Sequence, residues 1–119
     1  MLPAQHRMTR STEFGATVRG GTRAAQPGLV LYALRSDVIG ESGPKIGLIV
    51  SKAVGNAVHR NRVSRRLRHA ARTLLPDLHP DEHVVIRALP RSRDALSSRL
   101  EHELHTALAR IRARTGTSS

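Results

Sequence analysis

Apolar positions along this chain follow two different spacings. LVLYALR (29–35) is a short, almost unbroken apolar run, as expected of a strand buried on both faces, and KIGLIVSK (45–52) repeats it with β-branched residues. HVVIRAL (83–89) is a further strand, and TRAA (22–25), cut off by Pro27 and Gly28, reads as a brief one. Elsewhere the spacing is helical. Ser11 or Thr12 is placed to cap a helix with Glu13 in its first turn; Phe14 and Val18 then fall one turn apart on one face until Gly20 and Gly21 stop it. Val63, Leu67, Ala70 and Leu74 form one stripe on a helix predicted from Ala57 to Leu75 and ended by Pro76. Leu96, Leu100, Leu104, Leu108 and Ile111 line a last helix predicted from Arg93 to Arg112. Residues 1–10 hold little packing material and are expected to be extended, SDVIGESGP (36–44) reads as a loop, and residues 113–119 as a fraying end.

This order, α-β-β-β-α-β-α, places a helix between the third and fourth strands, so at least part of the sheet is expected to be parallel, with helices packed on one face. The class is α+β, a two-layer α/β sandwich in a single domain, and 119 residues suffice for one modest core. No internal repeat interrupts it.

Charge narrows the function. Twenty Lys and Arg oppose nine Asp and Glu, a formal net charge of +11, and all the basic residues but Lys45 and Lys52 are arginines. Such a surplus predicts a polyanionic partner, and the planar guanidinium fork suits phosphate oxygens and guanine edges. The surplus peaks in VGNAVHRNRVSRRLRHAAR (54–72), with six arginines, two histidines and no carboxylate; from Ser42 to Pro76 there is no acidic residue at all. On the helix predicted there, Asn61, Arg65, Arg68 and Arg72 lie nearly opposite the apolar stripe. These arginines lack i,i+4 partners and repel one another by a few tenths of a kcal/mol per pair, roughly, so a functional gain elsewhere is the simplest compensation. A charge run of this kind is ordinarily a solvated face; the missing acids set it apart. A membrane-surface helix would carry bulkier apolar residues than this Val, Leu and Ala stripe.

Other chemistry is sparse. There is no cysteine, hence no disulfide or thiolate metal site, which suits a reducing cytoplasm. No apolar run approaches the roughly 20 residues that span a bilayer, and the N-terminus lacks a signal-peptide core, so a soluble protein is expected. His102 and His105 are three apart and face away from the Leu stripe, towards solvent. His79 and His83 flank Pro80 without a third ligand, and Asp77, Asp81 and Glu82 read as a solvated turn rather than a Mg²⁺ site. No nucleophile, base and orienting group assemble. Phe14 and Tyr32, the only aromatics, are either core residues or stacking platforms for single-stranded RNA.

SKAVGNAVHRNRVSRRLRHAAR (51–72) closely resembles the signature of the bacterial ribonuclease P protein subunit, S-K-K-V-G-N-A-V-x-R-N-R-[VI]-K-R-x-[IL]-R. HRMTRSTEF with Gly21 beyond it resembles that family's first helix, LVLYAL and KIGLIVSK its central strands, and HVVIRALP its last strand, so the similarity covers nearly the whole chain. The resemblance implies the same element order, with a left-handed crossover around the signature helix. It also implies two RNA surfaces. The signature helix and its leading loop would dock on the catalytic RNA subunit through Lys52, Gly55, Asn56, Arg60, Asn61, Arg62, Arg65, Arg66 and Arg68. A cleft between first helix and sheet would bind the single-stranded 5′ leader of precursor tRNA through Phe14, Val18, Tyr32 and Ser51. Ala53 and Ser64 stand where the family has lysines, and Val18 where a second cleft aromatic is common.

The implied function is the non-catalytic protein subunit of an endoribonuclease, one copy per RNA, that promotes 5′ maturation of tRNA, with Mg²⁺ held mainly by the RNA subunit and substrate. A ribosomal or nucleoid-associated protein is the alternative that charge alone would allow; the turn VGNA before the helix separates the two, since generic charge does not require it.

Overall fold

The apolar run at 29–35 lies at the centre of a sheet. In the computed structural model, which describes residues 4–35 and 43–115, the elements in chain order are α1 (Ser11–Gly20), β1 (Thr22–Ala25), β2 (Leu29–Arg35), β3 (Lys45–Ile49), α2 (Ala57–Arg72), β4 (Glu82–Ala88) and α3 (Ser97–Thr115). Strand order is β1-β2-β4-β3, antiparallel except for the β3/β4 pair, which is parallel as a strand-helix-strand crossover requires. β2 and β4 are the inner strands. Leu29, Leu31 and Ala33 of β2, with Val84, Ile86 and Ala88 of β4, point to one face; Val30, Tyr32 and Val85 point to the other. Both faces are covered, which is why these runs do not alternate with polar residues.

The larger core lies under α2 and α3, which also pack on each other. The stripe expected on α2 is buried to the last residue: Val63, Leu67, Ala70 and Leu74 are all 0 % exposed. Each large side chain there contributes about 1.5–3 kcal/mol by leaving water. The first helix departs from the expectation of helices on one face, because α1 crosses the opposite face, over β2 and β4, with Phe14 and Val18 against Val30, Tyr32 and Val85. Nothing in the Phe14 and Val18 spacing specifies which face receives them.

Several boundaries move, each for a local reason. Ser11 is already inside α1, so the cap position falls to Arg10, which makes no side-chain capping bond. β3 ends at Ile49 rather than at residue 52, because residues 51–55 turn, with the Val54 N–H on the Ser51 carbonyl and the Gly55 N–H on the Lys52 carbonyl. α2 ends at Arg72, where the Thr73 hydroxyl and N–H both donate to the Ala70 carbonyl, and Pro76 sits in a separate 3₁₀ turn, Leu75–Asp77. A second 3₁₀ turn, Pro90–Asp94, delays α3 to Ser97; Leu96 therefore precedes the helix and is 69 % exposed instead of joining the Leu stripe. The N-terminal segment supplies more packing than its composition suggests: Met8 is buried, its N–H donates to the Ile46 carbonyl at 2.9 Å, and Arg7 pairs with Ile46 as an isolated bridge. The loop at 36–44 falls largely outside the described residues, as do residues 116–119 of the expected fraying end, whereas α3 continues to Thr115.

Candidate nucleic-acid interface

The turn ahead of α2 is built by three consecutive residues with three tasks. Val54, 1 % exposed, anchors the loop in the core. Gly55 has φ +152°, and a Cβ there would lie 2.8 Å from His59 Cβ and Nδ1, so a side chain is excluded both by conformation and by space. Asn56 is the N-cap: its Oδ1 accepts the His59 N–H at 3.0 Å. Gly55 and Asn56, singled out as docking residues, thus already have work in the fold. Asn56→Ala should cost about 1 kcal/mol of stability in denaturant unfolding, whereas an unchanged midpoint would leave Asn56 only an external role.

From this cap α2 projects its arginines in three settings. Asn61, Arg62 and Arg65 are exposed, with Lys52 exposed on the preceding loop. Arg60 is half-buried, and its Nε is buried without a hydrogen-bond partner. Arg66 turns inward, where its Nη1 donates to the Ala95 carbonyl at 2.9 Å and ties α2 to the segment before α3. Arg68, expected opposite the apolar stripe, is half-buried and lines a cavity with Phe14. Among the described residues none of these arginines forms an ion pair; the pairs present lie elsewhere, as Arg35 with Asp81, Lys45 with Glu13, Arg99 with Glu103 and Arg112 with Glu82. The helix face therefore keeps its full positive potential.

On the opposite side of the sheet, Phe14, Val18 and Tyr32 do come together, around Met8, Val30 and Val85. The Phe14 ring lies directly on Gly47: a Cβ there would be 2.5 Å from a ring carbon. A lone glycine within a strand pattern is the sequence signal for this close approach. Tyr32 is 5 % exposed and forms floor, while Phe14 and Val18 stay half-open. Ser51 is not part of this cluster; it is exposed on the β3–α2 loop, where its Oγ accepts the Ala53 N–H at 3.4 Å.

Two readings of polar residues are corrected. Glu82 is not in a solvated turn: it is 1 % exposed and takes a bidentate clasp from Arg112 at 2.7 and 2.6 Å, with the His79 N–H on the same carboxylate. That bond raises the Arg112 pKa above its ordinary value, against burial. Asp81 is held by Arg35, whose hydrogen bond keeps the carboxyl below its usual pKa. His105 does not face solvent alone; its Nε2 lies 2.9 Å from the Thr73 hydroxyl, which itself donates to the Ala70 carbonyl. His105 is then the donor to that oxygen, the wrong direction for activating it as a nucleophile. Among the described residues, no group of three or more His, Asp or Glu is placed to hold a metal ion, and no helix is long and apolar enough to cross a membrane.

Fold and surface together define a class: a small, strongly basic α+β protein with an arginine-rich helix that forms no ion pair among the described residues and a half-open aromatic face on the other side of its sheet. The family model for ribonuclease P matches residues 2–112, and the chain belongs to that family. It is 73 % identical over 119 residues, all of both chains, to the ribonuclease P protein component of Mycolicibacterium vanbaalenii. To that of Mycobacterium avium it is 59 % identical over 118 residues, covering 98 % of this chain and 99 % of the relative. The fold is shared with the RNase P protein of Staphylococcus aureus, at a TM-score of 0.74 and 21 % identity over 89 % of this chain and 96 % of that one. It is shared also with that of Thermotoga maritima, at 0.70 and 14 % identity over 84 % and 92 %. Membership makes the chain the protein component of an endoribonuclease that matures the 5′ end of tRNA, with an RNA subunit as its partner.

Proposed function

We propose that the exposed face of α2 docks on the RNA subunit and that the α1 side of the sheet receives the single-stranded 5′ leader of precursor tRNA, one protein copy serving each RNA. The observation that carries this division is the set of α2 arginines without a carboxylate partner among the described residues, set apart from the half-open Phe14 and Val18 on the other sheet face. Lys52, Asn61, Arg62 and Arg65 neutralise subunit phosphates, and Arg60 and Arg68 contribute from the margins. Gly55 and Asn56 shape the docking turn, and Arg66 braces it. In the cleft Phe14 offers its ring to an unstacked base, Val18 and Tyr32 form the apolar floor, and Ser51 lies on the loop that joins the two surfaces.

Chemistry is assigned to the RNA subunit. Water attacks the phosphorus at the leader junction, the leader 3′-oxygen leaves, and the tRNA keeps the 5′-phosphate. Mg²⁺ held by RNA phosphates supplies charge neutralisation and water activation when bound. The protein's own residues position the leader and screen phosphate repulsion, which lowers the Mg²⁺ concentration the complex requires.

Reconstitution tests this. At low Mg²⁺ the RNA subunit should cleave precursor tRNA only when the protein is added; equal cleavage without it would refute the reading. In the same assay Phe14→Ala should weaken precursor binding by roughly tenfold, the lower part of the range for a lost base–aromatic stack, and leave mature tRNA binding unchanged. Equal losses on both would return Phe14 to a purely structural role.

A further inference from the structure

Where β2 finishes and β4 begins, the sheet holds a separate cavity of about 270 Å³, and none of its lining residues belongs to α2 or to the Met8, Phe14, Val18 and Tyr32 cluster. Ala33, Leu34 and Ile111 give it an apolar wall, Ala33 and Ile111 buried and Leu34 half-buried. Its polar wall is Thr22, Arg35 and the Arg112–Glu82 clasp. These groups differ in what they have left to give. Both Glu82 oxygens accept, and Arg112 Nη1 and Nη2 both donate to them, so the clasp is satisfied. Arg35 is bonded to Asp81 through Nε alone, at 3.1 Å, and among the described residues neither its two Nη atoms nor the Thr22 hydroxyl has a partner. Arg19, Arg23 and Arg114 stand on the elements around the rim and form no ion pair among the described residues, and Arg114 donates to the Arg23 carbonyl. The rim therefore carries a positive potential over an apolar wall.

We propose that this cavity binds a small organic monocarboxylate, its carboxylate on the Arg35 fork and the Thr22 hydroxyl and its hydrocarbon body against Ala33, Leu34 and Ile111. The planar Nη pair matches two carboxylate oxygens in one plane. A phosphate dianion needs more donors than one fork and one hydroxyl, since Arg112 is engaged by Glu82. An inorganic anion would leave the apolar wall wet, and a neutral apolar molecule would leave the donors unpaired; a carboxylate on a hydrocarbon body satisfies both. The volume lies near the lower end of the roughly 300–1,000 Å³ typical of ligand sites, which restricts the occupant to a single ring or a short branched chain. Because Thr22 opens β1, Arg35 ends β2 and Ile111 lies on α3, the occupant bridges three elements and stabilises the folded chain by mass action.

Benzoate is the probe, titrated into the full-length protein while the methyl NMR signals of Leu34 and Ile111 are followed. It should shift both with a Kd on the order of 1 mM and raise the unfolding midpoint, and benzamide, of the same shape without the charge, should bind about tenfold more weakly. Arg35→Gln should weaken benzoate binding about tenfold and Thr22→Val roughly fivefold. The Arg35 pair with Asp81 is a surface one and Val suits a strand as well as Thr does, so both variants keep the fold. Unmoved Leu34 and Ile111 methyls, or benzamide binding as tightly as benzoate, would overturn the proposal. Unchanged affinity in Arg35→Gln would do the same. A shift of the Met8 methyl in place of these two would put the acid on the other face of the sheet and overturn the site as well.

Discussion

Glu82→Ala is expected to destabilise the protein by about 3–5 kcal/mol, a large part of the roughly 5–15 kcal/mol that holds a small domain together. The carboxylate is 1 % exposed and accepts from Arg112 Nη1 and Nη2, while Nη2 also donates to the Asp77 carbonyl at 3.0 Å. One pair of side chains therefore closes the end of α3 onto the start of β4 and onto the 3₁₀ turn after α2. Truncating Glu82 leaves a guanidinium partly desolvated and the His79 N–H without its acceptor. Taking the carboxylate away from a partly desolvated guanidinium produces most of the cost, so the double variant Glu82→Met with Arg112→Met should recover much of it. Denaturant unfolding of the singles and the double measures the coupling; a loss below about 1 kcal/mol in Glu82→Ala would mean that solvent screens the pair as it does at a surface. Because the Arg112 pKa is raised, its side of the clasp is fully present at neutral pH and is lost only as pH rises beyond the ordinary arginine range.

This clasp also marks the limit of what local pattern conveys. Strand and helix order, the parallel β3/β4 pair and the Val63, Leu67, Ala70 and Leu74 stripe follow from period and from Pro76, because burial on one element leaves its trace in neighbouring residues. Glu82 and Arg112 lie 30 residues apart, and the charge of each, read alone, signals solvent. Glu103 is a second case: it is 3 % exposed, accepting the Gly28 N–H from 75 residues away and the Arg99 Nε from the next turn. The candidate site divides in the same way. Its charge and its VGNA turn are local features and could be read directly. That Arg66 is spent on Ala95 and Arg68 on a cavity wall depends on what packs beside α2, which no residue within the helix announces. The resemblance to a known family names positions without saying which of them the fold leaves exposed.

That difference in freedom yields the largest expected effect on RNA. Arg62→Ala combined with Arg65→Ala should weaken binding to the RNA subunit by about a hundredfold, taking roughly 1.5 kcal/mol for each lost charge-assisted contact. Both guanidiniums are exposed and without an ion-pair partner among the described residues, so their loss removes phosphate contacts without opening the core. The slope of log K against log salt should fall by about 0.7–0.9 for each phosphate contact removed, approaching two in total, while the unfolding midpoint stays in place. Arg66→Gln should separate the two roles of arginine on this helix. Its Nη1 bond to Ala95 joins α2 to the approach to α3, so its substitution should lower the unfolding midpoint and leave the salt slope nearly intact. If Arg66→Gln instead flattened the slope as Arg62→Ala does, its guanidinium would be facing RNA and not the protein. An unchanged slope in the Arg62→Ala, Arg65→Ala double variant would move the RNA subunit to another face of the molecule.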